Sequence, residues 1–206
     1  MNIKKKNLLF IDNSRPVSNG SIGGSINSMI QLIARLDKNR YNIHMLLYYK
    51  FPILENQLKS LEIITIYRNN SLLSRGNKVK KKIRNILPFY SDLFIIKNFK
   101  QIDYLSSIIK KYKIDIVHAN NRINANILCL LAAKRCAVPY IQHQRVFENK
   151  LSFTAKINKN YPAFYFSISN SIKDNIHEIV NVSEKKIKLI HNWINPDFLI
   201  KSNEGD

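Results

Sequence analysis

Apolar residues alternate between two patterns along this chain. Leu8–Ile11 is a short unbroken apolar run, as expected for a strand buried on both faces, and Ile26, Met29, Ile30, Ile33 and Leu36 then return every three or four residues on one helical face. The same exchange continues downstream. Ile43–Tyr48 predicts a second strand, Leu54–Leu61 a short helix and Ile63–Tyr67 a third strand. After a basic irregular stretch, Ile95, Phe99, Ile102, Leu105, Ile108 and Ile109 mark a long helix. Ile114–Val117 reads as a strand, Ala125–Cys136 as an apolar helix and Tyr140–Gln142 as a short strand behind Pro139. Phe164–Ile168, Ile172–Val180 and Ile187–Ile190 close the series as strand, helix and strand. With no hairpin signal between the strands, this order predicts an α/β domain. Its sheet would be doubly wound, Rossmann-like and mainly parallel, with helices on both faces.

The length of 206 residues suits one such domain, expected over residues 1–195, with 196–206 as a polar tail. In these sheets ligands gather where the strands end. The candidate loops are therefore 12–24, 118–124, 143–148, 169–171 and 191–195. The first contains "NGSIGGSINSMIQLIARL", whose G-x-x-G-G spacing is neither the dinucleotide fingerprint nor the phosphate loop ending in Gly-Lys-Ser/Thr. Gly23 and Gly24 would let an anion approach the unpaired amides of a helix start; a tight turn needing positive φ accounts for them equally well.

His118 follows the strand IDIV and precedes the polar ANNRINAN, which holds Asn120 and Arg122. His143 stands at the matching end of the next strand, with Arg145 close enough to pair with a phosphate or carboxylate. Each also has a plain structural reading, a core histidine or a solvated arginine. Ser169 suits the cleft and equally suits a helix cap. No close carboxylate pair, nucleophile with its base or metal-ligand cluster is present in the pattern, so no metal is expected. Cys129 and Cys136, with six residues between them within one helix, are expected to be buried free thiols, in keeping with a reducing compartment.

Charge adds one regional feature. The formal net charge is +19, and the stretch from Arg68 to Lys113 carries twelve Lys and Arg against Asp92 and Asp103, which makes +10 of it local. Lys78, Lys80, Lys81, Lys82 and Arg84 lie beside Ile86, Leu87, Phe89, Tyr90 and Phe94, a mixture that suits an anionic bilayer surface ahead of a merely solvated face. Zinc-finger spacing and an aromatic RNP sequence are both missing, so no specific nucleic acid is expected. The start MNIKKKNLLFID reads as a first strand, without a signal-peptide cleavage pattern. No run approaches the roughly 18 apolar residues of a spanning helix. These features predict a cytoplasmic protein, peripheral at most on the inner face of the cell membrane.

Taken in order, three stretches resemble the amino-terminal domain of a GT-B fold, family-4-type glycosyltransferase. They are "LLFIDNSRPVSNGSIGGSINSMIQLIARL", "YKIDIVHANNRINANILCLLAAKRCAVPYIQHQ" and "AFYFSISNSIKDNIHEIVNVSEKKIKLIHNWINPDF". The resemblance implies an acceptor-binding half whose cleft is completed by a donor domain. It implies that Gly23 and Gly24 meet the diphosphate of a nucleotide sugar, and that His118 contacts the transferred sugar or places the acceptor. Asn120, Arg122, His143, Arg145 and Ser169 become cleft candidates. The implied reaction is sugar transfer with retained configuration to a glycan or lipid-linked acceptor, with no cofactor beyond the donor and no obligatory metal. Two departures stand out. Asn192-Trp193-Ile194-Asn195 replaces the family's Asn-Gly-Val-Asp turn, and the paired glutamates used on the donor are absent, so the chain is expected either to work with a separate donor-domain chain or to be left over from a truncated gene. A non-catalytic basic module that binds a membrane surface or polyanion is the alternative.

Overall fold

The computed structural model describes residues 4–15, 23–50, 52–68 and 98–192. Seven strands form one sheet in the order β3-β2-β1-β4-β5-β6-β7, and every neighbouring pair is parallel. They are β1 (Lys6–Asp12), β2 (Tyr41–Leu47), β3 (Ile64–Tyr67), β4 (Ile116–Asn120), β5 (Tyr140–Gln144), β6 (Phe164–Ser167) and β7 (Ile187–Leu189). The helices between them are α1 (Gly24–Ile33), α2 (Pro52–Ser60), α3 (Phe99–Lys111), α4 (Ile127–Arg135), α5 (Phe153–Asn158) and α6 (Asn170–Asn175), the last continuing into a π-helical turn at Ile176–Val180. The Rossmann-like α/β sheet anticipated from the apolar pattern is the one observed.

Side chains alternate across a strand, so β1 feeds two separate cores. Leu8 and Phe10 pack with Ile26, Met29, Ile30 and Ile33 of α1 and with Leu54 and Leu58 of α2. Leu9 and Ile11 join Val117 and Ala119 of β4 on the other face, against α3, α4 and α6 through residues such as Leu105, Leu130 and Ile172. Each buried Leu or Ile contributes on the order of 2 kcal/mol, so the two layers dominate what holds the sheet. Pro52 opens α2, where its missing N–H has no intrahelical partner to lose.

Three expectations change. The fourth strand runs over Ile116–Asn120 rather than Ile114–Val117, and the fifth extends to Gln144, so His118 and His143 lie inside strands rather than in the loops beyond them. The polar residues that looked like loop are strand residues buried in mutual hydrogen bonds. Helix α5 carries no clear apolar period; Ser152 starts it by accepting from the Ala155 N–H at 3.2 Å. Cys129 is buried, as expected, but Cys136 at the end of α4 is only partly so, and both thiols are free. Lys78, Lys80, Lys81, Lys82 and Arg84, Gly20, the turn at 193–195 and the domain boundary at 195/196 lie outside the described residues.

Candidate functional site

β1 is flanked by β2, reached through α1, on one side and by β4 on the other. The chain therefore leaves the carboxyl ends of β1 and β4 in opposite directions, which opens a crevice between them. Asp12 ends β1, Asn120 ends β4 and α1 starts above both, so three distant stretches meet at this switch point.

Asn120 is the hub. Its Nδ2 donates to Asp12 Oδ2 at 2.6 Å, to Ser25 Oγ at 2.9 Å and to Ser25 O at 3.2 Å, while its Oδ1 accepts from Arg145 Nε. Arg145 continues the chain of contacts, with Nη1 donating to Asn192 Oδ1 at 2.5 Å. Burial lowers the Arg145 pKa to about 10, and Asp12 works against that fall; the guanidinium keeps its charge at neutral pH. A solvated arginine is thus excluded at this position. Asn121 adopts φ 80°, a left-handed conformation that asparagine tolerates better than most residues. Ser25 Oγ donates to its Oδ1 at 2.5 Å, and its own Nδ2 donates to Asn13 at 2.9 Å and Ser14 at 3.2 Å. Asn126 closes the base of the loop by donating to Asn120 O at 2.6 Å.

The α1 start has no side-chain cap among the described residues. Gly23 is its N-cap, with no acidic residue in the first turn, so the partial positive charge there is not met by α1's own side chains. Gly23 has φ −66°, and a Cβ built on Gly23 or Gly24 would meet nothing within 4 Å among the described residues. Neither position needs glycine for backbone strain or for packing against the described residues. A turn requiring positive φ is therefore not what Gly23 provides.

His118 and His143 lie below the crevice on the same face as Phe10 and Phe166. Ring centroids are 4.8 Å apart for Phe10–His118, 5.3 Å for His118–His143 and 5.8 Å for His143–Phe166. His118 Nε2 faces His143 Nδ1 at 3.2 Å. Burial, then the Arg145 charge, lowers the His118 pKa to about 3, and burial, Arg145 and His118 together take His143 to about 2. Both rings are neutral at physiological pH.

Of the sequence candidates, Gly23, Gly24, His118, Asn120, His143 and Arg145 converge at this edge. Arg122 does not join them: it is exposed, and its charge is felt by Glu148. Ser169 serves as the cap of α6, its Oγ accepting from Ile172 N at 3.3 Å. Asp12, Asn13, Ser25, Asn121, Asn126 and Asn192 were not singled out from sequence. Asp12, Asn13 and Asn121 lay inside candidate loops and Asn192 inside the noted turn, whereas Ser25 and Asn126 fell just beyond the loops, since single polar residues carry no periodic signal. Among the described residues no group of three or more His, Cys, Asp or Glu converges as a metal site would require, and no helix is long and apolar enough to cross a membrane.

Residues 22–198 match the sequence model of Glycosyltransferase Family 4. The chain belongs to that family. Solved structures with the same fold include Anabaena HepE in complex with UDP and glucose, at TM-score 0.59 and 15% identity over 96% of this chain and 49% of that one. A Rickettsia africae glycosyltransferase gives TM-score 0.61 and 20% identity over 97% and 49%. Acinetobacter baumannii MurG gives 0.56 and 14% over 98% and 50%. The family-4 chain thus spans about half the length of the solved structures it matches, and its sheet is one Rossmann-like half of a GT-B architecture. No curated protein sequence is matched significantly.

Proposed function

We propose that this family-4 domain is the acceptor-binding half of a retaining glycosyltransferase. It would move a sugar from a nucleotide-sugar donor to a glycan or lipid-linked acceptor in the synthesis of cell-surface polysaccharide or glycoconjugate. The observation that carries the reading is the junction at the switch point: an uncapped helix start with two unobstructed glycines, tied through Ser25 to the Asp12–Asn120–Arg145 cluster. HepE, which shares the fold, was crystallised with UDP and glucose. Phosphate oxygens suit the open amides at Gly23 and Gly24, and sugar hydroxyls suit a crevice rich in asparagine.

The chemistry follows from charge. As the donor's sugar–phosphate bond breaks, negative charge grows on the leaving diphosphate, and amides already aimed at it stabilise that charge without reorganising. This arrangement needs no obligatory metal. His118 is too weak a base at neutral pH to shuttle protons and acts instead as a neutral contact to the sugar or acceptor. Asn120, His143 and Arg145 hold that edge in place, with Arg122 and Ser169 at its margin. The far side of the donor would be held by a donor domain.

The chain combined with a donor-side polypeptide of the family is expected to transfer or hydrolyse sugar from at least one member of a nucleotide-sugar panel. His118→Ala is expected to lower that turnover about 100-fold. Gly24→Ala is expected to lower turnover while changing stability by less than about 1 kcal/mol, because its methyl group meets nothing within 4 Å among the described residues. A folded pair inactive on every nucleotide sugar would favour the non-catalytic binding module.

The regional charge supports peripheral contact of a cytoplasmic protein with the inner membrane face through Lys78, Lys80, Lys81, Lys82 and Arg84. Reversing Lys80, Lys81 and Lys82 to Glu is expected to weaken flotation with anionic liposomes by more than about tenfold, at roughly 1 kcal/mol per basic residue. Unchanged flotation would remove that role from the segment.

A further inference from the structure

His143 buries a ring nitrogen with nothing to bond. The residue is 2% exposed, and its Nε2 has no hydrogen-bond partner among the described residues, while its Nδ1 lies 3.2 Å from His118 Nε2. Both rings are neutral, so each carries one ring proton. Two arrangements satisfy the contact. If His118 donates from Nε2, the His143 proton is forced onto its own Nε2, and a donor is stranded in the interior. If His143 donates from Nδ1, its Nε2 is left as a bare lone pair and the His118 proton sits on Nδ1.

The second arrangement costs less, because orphaned buried N–H groups are rarer in folded proteins than under-satisfied acceptors. Phe166 packs edge-to-face on His143 at 5.8 Å and offers no acceptor oxygen. An N–H aimed at its ring would regain only a fraction of a hydrogen bond.

We propose that His143 is a positioning residue that fixes His118 in its Nδ1–H tautomer, so that His118 meets the ligand as a neutral hydrogen-bond donor. The hydrogen bond at one imidazole nitrogen sets the state of the other. Phe10 at 4.8 Å and Phe166 at 5.7 Å pack on the His118 ring and oppose a flip that would exchange its nitrogens. His118 Nδ1 has no protein partner among the described residues, and His118 keeps 6% exposure. The group it addresses is therefore an acceptor, an oxygen lone pair on a hydroxyl, sugar ring or phosphate. Only the identity of that oxygen rests on the sugar-transfer reading; the tautomer does not.

The test is long-range proton–nitrogen correlation NMR on the full nitrogen-15-labelled chain without ligand, at neutral pH, which separates protonated from bare ring nitrogens. Single Gln substitutions at His44, His177 and His191 assign the signals. His118 and His143 are each expected to be protonated on Nδ1 and bare on Nε2; a His118 protonated on Nε2 overturns the proposal. In His143→Phe, His118 is expected to populate the Nε2–H tautomer, whereas His143→Gln, whose amide can donate to the same nitrogen, is expected to keep Nδ1–H. A His118 that stays entirely Nδ1–H in His143→Phe would show that His143 does not position it. If the Phe variant does not fold, the wild-type and Gln spectra decide. An inactive reconstituted pair would leave these spectra unchanged, so the two readings fail separately.

Discussion

Asn120→Ala is expected to lower the unfolding free energy of the chain by about 3 kcal/mol, a large share of the stability of a domain this size. The side chain is fully buried and makes hydrogen bonds to a carboxylate, a guanidinium and the first turn of α1. Removing it separates Asp12 from Arg145 without giving either charge access to bulk water, and groups left in that state forfeit their hydration with no return. The loss should appear in urea unfolding as a lower midpoint with an unchanged slope, since the surface exposed on unfolding is the same. A midpoint equivalent to less than about 0.5 kcal/mol of change, the range of ordinary surface substitutions, would mean that the cluster does not tie β1, β4 and α1 together.

Acidification should destabilise the fold through its two buried imidazoles. In the unfolded chain the two imidazoles protonate near 6.5, whereas in the folded state His118 waits until about 3 and His143 until about 2. Below 6.5 the unfolded state therefore binds more protons, so stability is complete above that value and falls as pH falls through it. Each ring contributes a slope that approaches about 1.4 kcal/mol per pH unit, which makes roughly 3 kcal/mol for the pair between about pH 6.5 and 5. His44, also lowered by burial, acts in the same direction. Urea midpoints measured across that interval should decline steeply, and a His118→Gln, His143→Gln double variant should lose most of the decline. A flat wild-type profile would show that these rings are already charged in the folded state.

Both expectations concern residues whose places the chain pattern located only approximately. Leu8–Ile11 and the Ile26–Leu36 stripe were legible as strand and helix because buried apolar residues repeat with the period of their element. At Asn120 and His143 that period is broken by polar residues, and they read as loop. They stay in strands because each finds a partner across the sheet, Asp12 in one case and His118 in the other. Arg145 shows the same blindness: nothing in YIQHQRVFE separates a solvated arginine from one whose guanidinium holds Asn120 and Asn192. Helix α5 was missed because its six residues are too few to show a face.

By itself the sequence determined the class of fold, since alternating strand and helix periods without hairpin turns leave a parallel sheet as the way to bury both patterns. It also pointed to the strand-end edge on which Gly23, Gly24 and His118 lie. Only the tertiary structure decided which polar side chains act together. Asp12, Ser25, Asn120 and Arg145 are up to 133 positions apart in the chain, and their hydrogen bonds exist only because β4 crosses back to lie beside β1. The charge state of the histidines was settled there as well, because burial and a neighbouring guanidinium, not residue type, hold both rings neutral.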